Sequence, residues 1–255
     1  MLELNHVSRS FGGLQALKDV SLSVPDHQII GLIGPNGAGK TTLINIISGL
    51  DHPTSGSIRF KDQDIHNLAP HQIARLGIAR TYQNIRLFGE MTALENLLIS
   101  QHRRGKASIL DTLIFSPRYR KEEHDLRENA INWLKRFDLA DALDNRAVSL
   151  PYGDQRRLEM ARALATQPAL MLLDEPAAGM NPVETHKLGE QIIRLKAEGM
   201  TVLVIEHDMS LIHQICDAIY VLSFGQIIAH GTPEEIKNSP VVIEAYLGQD
   251  DHGAA

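Results

Sequence analysis

The sequence predicts an α/β fold built on a parallel sheet covered by helices. Three observations carry this. Gln28–Ile33, Leu170–Leu173, Thr201–Ile205 and Ile219–Leu222 are short apolar runs of strand length, the first of them, ending at Gly34, typical of a strand buried on both faces. Segments of helix length, Lys40–Leu50 and Val183–Glu198, follow the first two, and parallel strands need crossovers of that size. A glycine-rich bend, Gly34–Gly39, joins the first run to the first helix.

The elements follow in order. Leu2 and Leu4, then Val20, Leu22 and Val24, alternate with polar residues at the period of half-buried strands, and Pro25-Asp26 marks a turn. The helix from Lys40 is stopped by Gly49, Asp51 and Pro53, and Ser57–Phe60 reads as a short strand. From about Met91 to Ala165 the pattern is helical. Leu126, Ala130, Leu134 and Phe137 share one helix face, beside which Trp133 packs. After the later strands come a hairpin at Phe224–Ala229 and two short helices at Pro233–Asn238 and Pro240–Leu247. Residues 1–248 read as one domain with the helical portion, about 91–165, inserted, and 249–255 as a disordered tail.

Composition narrows the function classes. With 255 residues the chain buries enough surface to need no covalent staples, and its single cysteine, Cys216, cannot form an internal bridge. A formal charge of −6 gives no basic footprint for nucleic acid, so no nucleic-acid partner is expected. No apolar run reaches the roughly 18–20 residues that span a bilayer, and the first residues lack an export signal. The expected location is cytoplasmic, with any membrane contact made through a partner. The histidines include no i, i+4 pair of the kind a zinc site uses.

Gly34-Pro35-Asn36-Gly37-Ala38-Gly39-Lys40-Thr41 fits the phosphate-loop pattern G-x-x-x-x-G-K-[ST] at every position. A buried strand enters it and a helix leaves it, as the mechanism requires. The glycines let successive amides turn inward, and the helix start adds positive potential. Lys40 supplies a cation to the β- and γ-phosphates, and Thr41 a hydroxyl to Mg²⁺. The aliphatic run Leu170–Leu173 then delivers Asp174 and Glu175 at the end of a strand, where ligands sit in open α/β sheets. Asp174 suits Mg²⁺ and Glu175 an attacking water.

Beyond these two motifs the chain resembles the ATP-binding cassette family across nearly its whole length. Phe11 resembles the aromatic that stacks on adenine. Gly34–Thr41, continued by Thr42, matches the Walker A motif and Leu170–Glu175 the Walker B motif. Gln83, in Thr81-Tyr82-Gln83-Asn84, resembles the Q-loop glutamine. Ala178-Gly179-Met180-Asn181-Pro182 resembles the D-loop, and His207, in Glu206-His207-Asp208, the switch histidine. Leu150-Pro151-Tyr152-Gly153-Asp154-Gln155 occupies the signature position, usually Leu-Ser-Gly-Gly-Gln. Here proline replaces the serine and offers neither hydroxyl nor N–H, so the serine's contact is either absent, which would leave a weakened or asymmetric ATP site, or replaced by the Gly153 amide at the following helix start. That stretch, with Arg75–Gln83 and Gly231–Ile236, is similar to the ATPases of branched-chain amino-acid importers.

The resemblance implies a P-loop ATPase of the cassette type: a RecA-like core with an antiparallel β subdomain and an α-helical subdomain. It implies ATP and Mg²⁺ as cofactors. Phe11, the Walker A residues, Thr42, Tyr152, Gly153 and Asp154 would bind nucleotide. Thr41, Gln83 and Asp174 would serve the metal, and Glu175, His207 and Gln83 the chemistry. It further implies a second ATPase subunit, identical or related, pairing head to tail. Two membrane permeases and, through them, a periplasmic or extracellular binding protein would complete a machine on the cytoplasmic face of the cell membrane. Competing readings are the ATPase of a lipid or lipopolysaccharide exporter, a soluble assembly ATPase and a P-loop kinase. The unusual signature argues against the exporter. The kinase has no need of a signature or switch histidine. The segment Arg103–Arg120, which mixes basic and apolar residues, reads as packing or as a contact to a membrane subunit or lipid.

Overall fold

Strands β1 (Leu2–Phe11), β2 (Leu14–Val24), β4 (Ser55–Phe60) and β5 (Gln63–Asp64) form an antiparallel sheet in the order β2-β1-β4-β5. Leu2 pairs with Val24 and Leu4 with Leu22, which puts the alternating apolar residues of both strands on one buried face. A second sheet has the order β10-β9-β3-β8-β7-β6, from β3 (Ile29–Ile33), β6 (Ile78–Arg80), β7 (Leu170–Asp174), β8 (Thr201–Ile205), β9 (Ala218–Ser223) and β10 (Gln226–Gly231). All its neighbours are parallel except the β9–β10 hairpin at the edge. Every residue of β3, β7 and β8 is buried, as their unbroken apolar runs require.

The computed structural model describes residues 1–101 and 116–247. The tail 249–255 and most of the Arg103–Arg120 segment lie outside the described residues. The chain divides into two units, one from Met1–Arg80 with Ala169–Ala255, the other Thr81–Pro168.

In the first unit, Leu43, Ile44 and Ile47 of helix α1 (Lys40–Ile47) pack with Leu4, Leu22, Ile30 and Leu32 in one core. This helix is shorter than the expected Lys40–Leu50. Gly49 is left-handed (φ +74°), and a Cβ there would stand 2.7 Å from the Leu68 carbonyl oxygen, so the helix unwinds at Ser48. Helix α2 (Pro70–Leu76) carries proline at its start and a left-handed Gly77 at its end.

The second unit holds α3 (Ala93–Gln101), α4 (Pro117–Arg136) and α5 (Tyr152–Ala165). Ala130, Leu134 and Phe137 are buried as their spacing predicts, and Trp133 packs beside Phe137 with ring centres 6.4 Å apart. Asn96 is buried and clips the approach to α3, accepting from the Phe88 amide at 2.9 Å and donating to the Phe88 and Thr92 carbonyls at 3.0 Å.

The chain returns to the first unit for α6 (Pro182–Ala197), α7 (Met209–Ile215), α8 (Pro233–Lys237) and α9 (Pro240–Leu247). Asn181 caps α6, accepting from the Val183 and Glu184 amides. Among the described residues no helix is long and apolar enough to cross a membrane.

Candidate active site

The bend after β3 exists because three of its positions exclude a side chain or a right-handed backbone. Gly34 has φ +152°, and a Cβ there would lie 2.0 Å from the Leu222 carbonyl oxygen. Gly37 has φ +77°. Gly39 has φ +109°, and its Cβ would meet the Ala16 carbonyl oxygen at 2.8 Å. Between them, the Ala38 amide donates to the Pro35 carbonyl at 3.2 Å. The Ala38 carbonyl accepts from the Gly225 amide at 2.9 Å, which ties the loop to the β9–β10 turn. Pro35 is buried, while Asn36 and Gly37 face solvent. The first amides of α1 have no intrahelical acceptor and bring the positive end of the helix dipole to the loop.

Lys40 is buried at this end and donates to the Gly34 and Pro35 carbonyls at 2.6 and 2.9 Å. Burial pushes its amine below the usual lysine range, against the pull of the Glu175 and Asp174 carboxylates. Thr41 is exposed in the first turn, and Thr42 is half-buried behind it.

The two carboxylates arrive together at the end of β7. Asp174 closes β7 and pairs with Arg80 at 2.8 Å, both side chains 7% exposed. The same guanidinium donates to Asn45 Oδ1 at 2.8 Å and Ser48 Oγ at 2.9 Å, joining Asp174 to α1. Glu175 is held left-handed at φ +48°, a conformation costing a non-glycine residue about 1–3 kcal/mol. Its amide donates to the Ile205 carbonyl at 2.9 Å, and its carbonyl accepts from the Ala178 amide at 3.2 Å. The strained residue is thus fixed from β8 on one side and by the turn that follows on the other.

His207 leaves β8 with its ring largely exposed. Directly before it, Glu206 is 1% exposed. One Glu206 oxygen accepts from the Ala177 amide at 2.8 Å, and the other from the His207 and Asp208 amides at 3.0 and 3.3 Å. That second oxygen also lies 3.7 Å from His207 Nδ1. Burial raises the Glu206 pKa, with the three amides and His207 opposing. One buried carboxylate therefore ties the turn after Glu175 to the segment bearing His207.

Phe11 ends β1 with 48% of its surface exposed. The Arg9 guanidinium lies 4.5 Å from its ring centre and is held in turn by Asp51 at 2.6 Å. Gln83, Tyr152, Gly153 and Asp154 belong to the second unit. Pro151 opens α5 without a side-chain cap. The Tyr152 and Gly153 amides sit in the first turn, where helix geometry supplies no acceptor. Asp154 pairs with Arg157 one turn on.

The first unit thus brings Gly34–Thr42, Asp174, Glu175 and His207 to the C-terminal ends of β3, β7 and β8. Sequence reasoning missed Arg80 and Glu206. A charged residue directly after an apolar strand, beside an already suspected histidine, was the signal for Glu206. Nothing local marked Arg80. The Thr41 hydroxyl and the Asp174 carboxylate are hard oxygen donors that fit Mg²⁺, an ion that keeps water and phosphate ligands rather than needing a cage of protein groups. No group of three His, Cys, Asp or Glu side chains suited to a metal occurs among the described residues.

Residues 17–178 match the family described as ABC transporter, and residues 226–252 match the one described as branched-chain amino acid ATP-binding cassette transporter. The chain is 47% identical over 250 residues, 98% of each protein, to the high-affinity branched-chain amino acid transport ATP-binding protein LivG of Escherichia coli K12. Among solved structures it is similar to an ATP-binding cassette of an ABC transporter in its ADP conformation (TM-score 0.84, 36% identity, 97% of this chain and 98% of that one). It is also similar to a dimeric, post-hydrolysis cassette bound to ADP and Pi (TM-score 0.78, 26% identity, 91% of this chain and 99% of that one).

Proposed function

The chain belongs to the ABC transporter family of ATPases, and from that premise we propose that it is the ATP-hydrolysing subunit of a branched-chain amino-acid importer. The observation that carries the substrate class is the near-full-length similarity to LivG together with the separate match of residues 226–252 to the branched-chain amino acid group.

In this reading the adenine stacks on Phe11. The loop amides of Gly34–Gly39 and the start of α1 receive the phosphates, with Lys40 turning from the Gly34 and Pro35 carbonyls to the β- and γ-phosphates. Thr41 and Asp174 would provide oxygen ligands for Mg²⁺, which when bound neutralises charge on the phosphate oxygens, and Gln83 is assigned to the metal by the family resemblance alone. Glu175, held in its left-handed turn, accepts a proton from the attacking water. His207 donates to the γ-phosphate, and Glu206 keeps the backbone of that segment in place.

A triphosphate needs donors on both faces, and a second cassette supplies the other face through its signature segment, excluding water as the two close. In this chain Tyr152, Gly153 and Asp154 make up that segment, and the Gly153 amide takes the part of the missing serine. Loss of the γ-phosphate removes the bridge, and the opening is passed to two membrane permeases at the cytoplasmic face, served from outside by a binding protein.

The test is purification of the tagged chain from detergent-solubilised membranes, followed by reconstitution in vesicles. Two co-purifying permeases, with ATP-driven uptake of leucine, isoleucine or valine that depends on Lys40, are expected. Recovery with a lipid exporter, or with no membrane protein at all, would contradict the proposal.

A further inference from the structure

The departure of the signature from its usual pattern has a structural counterpart inside the second unit. Arg156, one turn after Tyr152 on α5, is 3% exposed, and its guanidinium has five N–H groups to place. Its Nε donates to the Tyr152 phenol oxygen at 3.2 Å. One terminal nitrogen donates to the same oxygen at 2.9 Å and to the Gln83 carbonyl. The other donates to the Tyr82 carbonyl at 2.7 Å and lies 3.4 Å from a Glu159 oxygen. Glu159 is 2% exposed, and its other oxygen accepts from the Arg86 amide at 3.2 Å. The Arg86 guanidinium lies 4.2 Å from the Tyr82 ring centre and folds the stretch onto itself.

The pattern of contacts is informative. The Tyr82 carbonyl belongs to the peptide before the Gln83 Cα, and the Gln83 carbonyl to the peptide after it. Peptides are planar, so holding both carbonyls restrains the backbone dihedrals of Gln83. A buried ion pair is a poor device for stability, since well-packed apolar residues serve as well or better. It is a good device for holding a backbone segment in one geometry. Burial raises the Glu159 pKa, opposed by the Arg86 amide, Arg156 and Arg162.

We propose that Arg156 and Glu159 are positioning residues that lock the Gln83 segment to the helix bearing the signature, with the Tyr152 phenol as the outer end of the lock. A contact made at the signature is then felt at Gln83, because Tyr152 is 46% exposed while its oxygen rests on the buried guanidinium. The tyrosine that stands in place of a glycine connects two motifs that act on nucleotide. The consequence for Mg²⁺ rests on the reading of Gln83 as a metal ligand; the lock itself does not.

The test uses the full chain in its transporter complex, with Arg156→Lys, Tyr152→Phe, Gln83→Ala and the Arg156→Lys/Gln83→Ala double variant. Lysine is a point charge that cannot hold both carbonyls in the plane of a fork. Losing one or two hydrogen bonds of ordinary worth predicts amide hydrogen exchange across 82–86 about five- to tenfold faster in Arg156→Lys, with about twofold in Tyr152→Phe and the rest of the chain unchanged. The Mg²⁺ concentration for half-maximal turnover rises about threefold or more in Arg156→Lys, while the KM for ATP moves less. The double variant is no worse than Gln83→Ala alone. Unchanged exchange across 82–86 in both Arg156→Lys and Tyr152→Phe overturns the lock, and so does a double variant whose effects on Mg²⁺ simply multiply. A Gln83→Ala protein with ordinary Mg²⁺ dependence overturns the metal reading of Gln83, and the exchange rates then decide the lock by themselves.

Discussion

Glu206→Gln isolates the carboxylate that joins the Glu175 turn to the His207 segment. The native side chain serves three amides with two oxygens, at 2.8, 3.0 and 3.3 Å. Glutamine has one acceptor oxygen, so whichever way its amide is turned, an NH₂ group faces at least one backbone N–H. A hydrogen bond to a charged group contributes about 1.5–3 kcal/mol, part of which is offset because burial already disfavours the ionised carboxylate. The expected loss of stability is about 1–2 kcal/mol. Its pH dependence has a definite sign. The Glu206 pKa is raised in the folded chain, so the folded state holds the proton more tightly than the unfolded state. Native stability from this group is then greatest below the ordinary glutamate value and falls as pH rises through the folded value. Glutamine does not titrate, so the cost of the substitution is larger near pH 5 than near pH 8. Urea unfolding of both proteins at about those two pH values measures it. Freed from Glu206, the Ala177 turn no longer holds Glu175 as closely, and kcat falls about tenfold with little change in the KM for ATP. An equal cost at both pH values, or a cost that grows with pH, would refute the reasoning.

Gly34→Ala forces a Cβ to within 2.0 Å of the Leu222 carbonyl oxygen at φ +152°, and chemical denaturation should show a loss of about 2–5 kcal/mol. Arg80→Ala leaves Asp174 buried without its 2.8 Å partner and should cost about 3–5 kcal/mol by the same measurement. Phe11→Ala removes a stacking surface that acts on ground and transition states alike. Nucleotide titration should show weaker ATP binding, with turnover at saturating ATP little changed.

Much of this architecture was legible in the sequence because the decisive signals are local. The apolar runs at Gln28–Ile33, Leu170–Leu173 and Thr201–Ile205 are short and densely hydrophobic, as doubly buried strands are, and each supplies a strand of the parallel sheet. The Gly34–Thr41 bend was readable because its glycines and lysine stand at fixed spacing in eight consecutive residues. Some elements too short for a period to register were not readable. β6 has three residues, and its strand character comes from pairing with Leu170–Leu172. α7 has only two turns and shows itself through its cap, Asp208 accepting from the Ser210 and Leu211 amides. Long-range polar partners were the least accessible. Arg80 meets Asp174 across 94 residues of chain, and Arg156 meets Tyr82 across 74, so neither pairing leaves a trace in the local pattern.

Everything proposed for this site converges on Glu175, the carboxylate strained into place to receive a proton from water. Single-turnover ATP hydrolysis by the assembled complex carrying Glu175→Gln tests that most directly, because glutamine preserves size and loses only the base. Undiminished ATP binding with hydrolysis slowed by about 10²-fold or more, the subunits remaining closed on ATP, is the predicted result. Hydrolysis at close to the native rate would contradict it.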